Sequence, residues 1–139
     1  GDAIRSDAVT REVSGVAAMG PVRGFVNELL RAAAADGGVV MDGRDIGTVV
    51  FPDAEVKVFL VADAEERARR RLAEQGRPSD ASTVKAEAGA LVARDQHDRS
   101  REVAPLAQAP DAVRIDTSQL PFAEQVRRVL DLVQKAGGG

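Results

Sequence analysis

At 139 residues, with 44% hydrophobic content and a net charge of −3, the chain is long enough for one domain with a real core, and it lacks the positive charge expected of a nucleic-acid binder. No apolar run reaches the length of a membrane span, and the first residues do not read as a signal peptide. With no cysteine, and His97 as the single histidine, disulfides, thiolate metal sites and histidine-cluster metal sites are excluded; the expectation is a reducing, cytoplasmic setting.

In chain order, the first 13 residues are polar and read as a strand edge or an arm. Residues 14–36 carry Val22, Phe25, Val26, Leu29, Leu30 and Ala33 at three- and four-residue spacing, which predicts one amphipathic helix stopped by Gly37-Gly38. Val39 to Asp42 then reads as a short buried strand, and Val56 to Val61 as a second, marked off by Pro52. "DAEERARRRLAEQ" predicts a helix from Asp63 to a break at Gly76 and Pro78, and another follows over about 80–93. "RDQHDRSREVAPL" is highly charged and closes on Pro105. "DAVRIDT" is a third strand, and a last helix starts near Pro121 with Phe122, Val126, Val129, Leu130 and Val133 as its apolar stripe. Strands alternating with helices predict α/β architecture with a parallel sheet. No internal repeat or low-complexity linker interrupts it. Gly1 at the start and Gly-Gly-Gly at the end leave a processed product or a fragment open.

The basic residues are almost all arginine; of nineteen, only Lys57, Lys85 and Lys135 are lysine. Arginine grips phosphate or carboxylate with a planar fork, although GC-rich coding would give the same bias, so only individual placements carry weight. Three clusters stand out. Asp42, Arg44 and Asp45 surround Gly43 at the carboxyl end of the first predicted strand, where ligands gather in open parallel sheets. The same residues also fit a turn in which Asp42 caps amides and Arg44 pairs with a nearby acid. Arg67, Arg69, Arg70 and Arg71 follow Glu65 and Glu66; four-apart pairs on a solvated face, each worth a few tenths of a kcal/mol, explain some of them but not all. Arg94, Asp98 and Arg101 share a face if helical, setting a carboxylate between two guanidiniums, either for a ribose and phosphates or as a surface ion-pair ladder. Asp95 belongs to the same charged run; His97 falls off that face and reads as solvent-exposed.

"DGRDIGTVVFPDAEVKVFLVADAEERARRR" followed by "RDQHDRSREVAPL" resembles bacterial cytidylate kinase, the ATP-dependent (d)CMP kinase of the nucleoside monophosphate kinase group. "IRSDAVTREVSGVAAMGPVR" and "RIDTSQLPFAEQVRRVLDLV" extend the resemblance to nearly the whole chain. It implies a P-loop kinase-like parallel sheet with flanking helices. Residues 1–13 would end the nucleotide-binding insert, and 14–139 would form a partial kinase core with a lid at about 72–105. It implies Ser14, Arg23 and Asp45 as readers of the cytosine ring, Asp98 as a ribose ligand, and Arg44, Arg94 and Arg101 as phosphate ligands. Arg70 and Arg71 would be the arginines opening the lid over ATP, and Asp42 would lie near the metal, reaching it at most through water. CMP, dCMP and ATP would be the small-molecule partners and Mg²⁺ the metal of the complete enzyme, with no nucleic acid or membrane involved.

One departure matters. The family's phosphate loop, G-x-x-x-x-G-K-S/T, is absent, since no Gly-Lys pair occurs in these 139 residues. The family places that loop upstream, so the chain resembles the carboxyl-terminal portion of such a kinase. By the same resemblance, the strand leading into the loop belongs between the strand ending in DGRD and "VKVFLVA". Either those two strands close up, or a further segment or a second chain supplies the missing one, or the isolated chain is unstable. A parent (d)CMP kinase activity that this chain alone lacks is the leading expectation. A non-catalytic CMP-binding or assembly fragment is the alternative, and a phosphotransferase reading another base is a third.

Overall fold

The computed structural model describes residues 7–100, 102 and 105–137, with some side chains of the first helix, Ser14 among them, outside that description. Helices α1 (Asp7–Ala18) and α2 (Gly20–Ala33) come first, then a π-helical turn (Ile46–Val50). Strand β1 (Val58–Val61), α3 (Ala64–Glu74), α4 (Ala81–Arg99), β2 (Val113–Asp116) and α5 (Phe122–Gly137) complete the chain. The architecture is α/β, as expected: β1 and β2 pair in parallel with Val58 opposite Val113 and Val61 opposite Asp116. Thr117 extends the pairing by donating its backbone N–H to the Val61 carbonyl at 2.8 Å.

Local chemistry explains the element ends. A proline has no N–H to donate, so Pro21 is tolerated only in a first turn. The predicted helix over 14–36 is therefore two helices, broken at Met19, whose ψ of 116° is extended. Residues 7–13 of the supposed strand edge or arm are helical; the rest of that stretch lies outside the described residues. Helix α3 closes in a Schellman motif. Gly76, at φ 64°, donates to Ala73 O at 3.0 Å and Arg77 donates to Leu72 O at 2.9 Å, so two end carbonyls find partners. Helix α4 opens on Asp80, whose carboxylate accepts from the Ser82 and Thr83 amides at 3.1 Å each. It also runs to Arg99, further than the predicted 93, and takes the whole charged RDQHDR stretch with it.

The predicted strand Val39–Asp42 does not form. A strand needs a neighbour for its N–H and C=O groups, and among the described residues β1 and β2 pair only with each other. Val40 consequently stands 95% exposed. The 39–42 segment therefore does not close up against β1.

Apolar packing is concentrated in one place. Ala68 and Leu72 of α3 interlock with Val84, Ala88 and Leu91 of α4, and both Ala68 and Leu72 are fully buried. The apolar stripes of α2 and α5 stay largely exposed, with Phe122 at 79%. The only buried residue of α2 is polar, Asn27, on the face that meets the π turn. Helix α2 therefore meets the π turn by its polar stripe, while Val22 and Val26 on its apolar side turn toward α1.

Leu72→Ala should cost about 2–5 kcal/mol, because it opens a cavity in the one tightly packed helix pair. Chemical denaturation followed by circular dichroism measures this, and a loss below about 0.5 kcal/mol would mean that α3–α4 does not carry the core.

Candidate functional site

The charged knot Asp42–Asp45 links two sides of the molecule. Asp45 immediately precedes the π turn and is only 2% exposed. Its backbone carbonyl accepts from the N–H groups of Thr48, Val49 and Val50 at 3.3, 2.9 and 3.3 Å, which fixes the turn. Its side chain points to α2, where Arg23 Nη2 donates to Oδ1. A charge this deeply buried is held only with a partner; removing one member of such a pair typically costs about 3–5 kcal/mol. The pair is nevertheless half satisfied. Asp45 Oδ2 and Arg23 Nε are both buried and without a hydrogen-bond partner. Eight residues on, Arg31 donates Nε to Val50 O at 3.0 Å and Nη2 to Val49 O at 2.8 Å.

Arg44 turns the other way. Its Nη1 lies 2.9 Å from Asp95 Oδ1 and 3.1 Å from Asp98 Oδ2, both on α4. Arg67 of α3 closes the cluster by donating to both carboxylate oxygens of Asp95, with Nη2 3.3 Å from Oδ1. Burial pushes the Asp95 carboxyl up, but hydrogen bonds and charge from Arg67 and Arg44 outweigh it and hold it below the ordinary aspartate range. Asp98 is buried beside Arg44. Arg94, half-buried, has a buried Nε without a partner and forms no ion pair among the described residues.

The other candidates sit as follows. Arg70 is spent on contacts within the chain, with Glu66 Oε1 at 2.9 Å, Thr117 Oγ1 at 3.1 Å and Thr117 O at 2.7 Å. Arg71 pairs with Glu87 of α4 at 3.1 Å. Asp42 is exposed and unpaired among the described residues, and so is His97 exposed. Arg101 and the Ser14 side chain lie outside the described residues. Thus Arg23 meets Asp45, and Arg44 meets Asp98, while Arg70 and Arg71 face other partners. Among the described residues no group of three His, Cys, Asp or Glu side chains could hold a metal ion. A groove of about 790 Å³ runs between α1 and α2, but its lining is apolar except for Glu12 and Arg23, so it is not where the charged network gathers.

Three residues with no assigned role belong to this network: Arg31, Arg67 and Asp95. For Arg31 the available signal is the spacing Arg23–Asn27–Arg31, which sets three polar side chains on one stripe of α2. For Arg67 and Asp95, helix spacing alone does not say which acid meets which arginine.

A family model for cytidylate kinase matches residues 1–135. The chain belongs to the cytidylate kinase family. It is 52% identical over 138 residues to a cytidylate kinase of Geobacillus sp. (strain WCH70), covering 97% of this chain and 60% of that protein. It is also 47% identical to one from Chlorobaculum tepidum, with 96% and 58% covered, and 48% identical to one from Salinibacter ruber, with 99% and 63% covered. The chain thus spans about 60% of the length of the curated relatives it matches. Family membership makes it a nucleoside monophosphate kinase homologue. No helix among the described residues is long and apolar enough to cross a membrane.

Asp95 sets a pH dependence. A carboxylate with a lowered folded-state pKa contributes stability that is fully present above the ordinary aspartate value of about 4 and is lost as pH falls through the folded value. Asp95→Asn should be less stable than wild type near pH 6, and the gap should shrink below about pH 4. Denaturation midpoints across that range test this; a gap that stays constant with pH would show that the Asp95 charge is not what the arginines hold.

Proposed function

We propose that this chain carries the (d)CMP-binding half of an ATP-dependent cytidylate kinase, converting CMP or dCMP to CDP or dCDP in pyrimidine nucleotide metabolism, in the cytoplasm. The carrying observation is the half-satisfied pair in the buried site: a carboxylate oxygen on Asp45 without a donor, beside a guanidinium N–H on Arg23 without an acceptor. A base that presents an amine next to a ring acceptor satisfies both at once, and cytosine does so. Uracil sets a carbonyl where cytosine has its amine, leaving Asp45 against an acceptor; such unpaired buried groups are where selectivity comes from. Ser14 joins them as a third reader of the ring.

The arginines fit phosphate. Arg94 has a buried donor to spare, and Arg44, Arg70 and Arg71 bear guanidiniums that would exchange their present partners for anionic oxygens. With Arg101 they would offset charge as the phosphoryl group moves, while Asp98 receives the ribose hydroxyl. The acceptor phosphate oxygen of CMP is already anionic, so no side chain need remove a proton from it. The donor set suits no dedicated metal cage, so Mg²⁺ would arrive on the phosphates of ATP, with Asp42 touching it at most through water. ATP supplies the transferred phosphoryl group when bound. Residues 1–13 would end the nucleotide-binding insert, 14–139 would form the partial core, and the lid over 72–105 would exclude water from the transfer.

The grip on the ATP phosphates would come from a G-x-x-x-x-G-K-S/T loop on a segment outside these 139 residues or on a second chain, which would also pair with the open sheet. The chain alone is accordingly expected to bind CMP without turning it over. A non-catalytic CMP-binding or assembly role is the second reading, favoured by the same open sheet.

Calorimetric titration should give heat with CMP and little with UMP, and Asp45→Ala should weaken CMP far more than UMP. Equal weakening of both would remove Asp45 from base recognition. Kinase assays on the 139 residues should show no turnover until a segment bearing the phosphate loop is added; turnover without it would overturn the division of labour.

A further inference from the structure

Helix α2 touches the rest of the site through two guanidiniums. Among the described residues, the Arg23–Asp45 contact and the paired donations of Arg31 to Val49 O and Val50 O are its only side-chain hydrogen bonds to other parts of the chain. Arg23, Asn27 and Arg31 recur every fourth residue and so form one stripe, about 12 Å long at 1.5 Å per residue. The stripe lies along the π turn, and Asn27, between the two arginines, is the buried member. Arg23 meets the residue that opens the turn, and Arg31 meets the carbonyls that close it.

We infer that Arg31 is a positioning residue for base recognition: its clamp on the end of the π turn sets the register in which Arg23 meets Asp45. A single ion pair fixes one point and leaves the helix free to rotate and slide about it. A second contact two turns away removes that freedom. The chemistry suits the task. Carbonyls at the end of a helical turn lack internal donors and carry partial negative charge, which favours a cation there. The guanidinium fork reaches two of them at once in a fixed plane, whereas an ammonium offers one movable point charge. On the apolar side of α2, Val22 and Val26 face α1 across the groove, and Phe25 and Leu29 are exposed. The register of α2 against the π turn thus depends on its polar stripe.

This inference rests on the reading of Arg23 and Asp45 as base readers, and its test separates the two. Arg31→Ala and Arg31→Lys are compared with wild type, with Leu72→Ala as a variant destabilised elsewhere. The first readout needs no nucleotide: the side-chain Nε–H resonance of Arg23, followed by NMR for its shift and exchange with water. In Arg31→Ala that buried proton should exchange at least about tenfold faster, as expected when α2 loosens and admits water to it, with Arg31→Lys intermediate and Leu72→Ala close to wild type. An Arg23 signal unchanged in Arg31→Ala overturns the clamp whether or not CMP binds. Should the alanine variant not fold, Arg31→Lys keeps the measurement decisive: an Arg23 signal identical to wild type counts against the clamp, and faster exchange supports it. The second readout is the ratio of CMP to UMP affinity by calorimetry. Arg31→Ala should lower that ratio by about tenfold, while a purely structural loss would weaken both nucleotides together and leave it unchanged. If wild type binds no CMP, the base-reading proposal fails, and the Arg23 resonance alone decides the clamp.

Discussion

A carboxylate buried at the entrance of a five-residue turn constrains everything around it. Asp45 cannot keep its charge away from water without a cation, so Arg23 must come to it, and α2 comes with Arg23. The next residue back, Arg44, reaches in the other direction to Asp95 and Asp98 on α4. Two adjacent residues of opposite charge thereby join α2 to the α3–α4 pair across the 42–45 loop. Gly43 belongs to the same solution: a Cβ there would lie 2.7 Å from Ile46 Cγ1, at the first residue of the turn.

These polar links matter because the core cluster is confined to one helix pair, with Val50, Ala109 and Ile115 buried outside it. Ala68, Leu72, Val84, Ala88 and Leu91 form the core cluster, while α2, α5 and the 39–42 segment leave large apolar side chains in water. Large exposed apolar patches of this kind are the exception on monomeric soluble proteins. The chain spans about 60% of the length of its curated relatives. The site is held by directional contacts of guanidinium with carboxylate and carbonyl. Those contacts fix geometry more than they add stability.

Much of this was legible in the sequence where a local rule decides the outcome. Gly76 ends α3 because a left-handed residue is needed there, and Asp80 starts α4 because its carboxylate reaches two free amides. The runs VKVFLVA and DAVRIDT became the two strands, and the crowding of charge at DGRD marked the junction. What local rules do not carry is the identity of the partner. Val39–Asp42 has the composition of a strand, but a strand exists only beside another. The stripe of Val22, Phe25, Val26 and Leu29 predicts a buried face, yet it stays largely exposed beside α1, and the face that meets the π turn holds Arg23, Asn27 and Arg31. IGTVV is rich in β-branched residues and still winds into a π turn, because three of its N–H groups converge on the Asp45 carbonyl. Asp95 lay in plain view within RDQHD, but only the packing of α3 on α4 brings Arg67 to it.

The way the arginines are held bears on how a phosphate would enter. Arg44, Arg67, Arg70 and Arg71 each have an acid or a carbonyl in hand, so an incoming anion competes with an existing contact. These arginines are only partly exposed, and a phosphate offers more charge and more acceptor oxygens than the carboxylate or carbonyl it would replace. Arg94 differs in having a buried Nε with no contact to give up. On the proposed reading, phosphate would therefore engage Arg94 first, and the paired arginines would follow as their acids let go. On the same reading Arg70 and Arg71 would come last, because each also ties α3 to a neighbouring element, Arg70 to Thr117 beyond β2 and Arg71 to Glu87 on α4. Their release would free α3 from those ties, so that arrival of the phosphate and movement of α3 would become a single event.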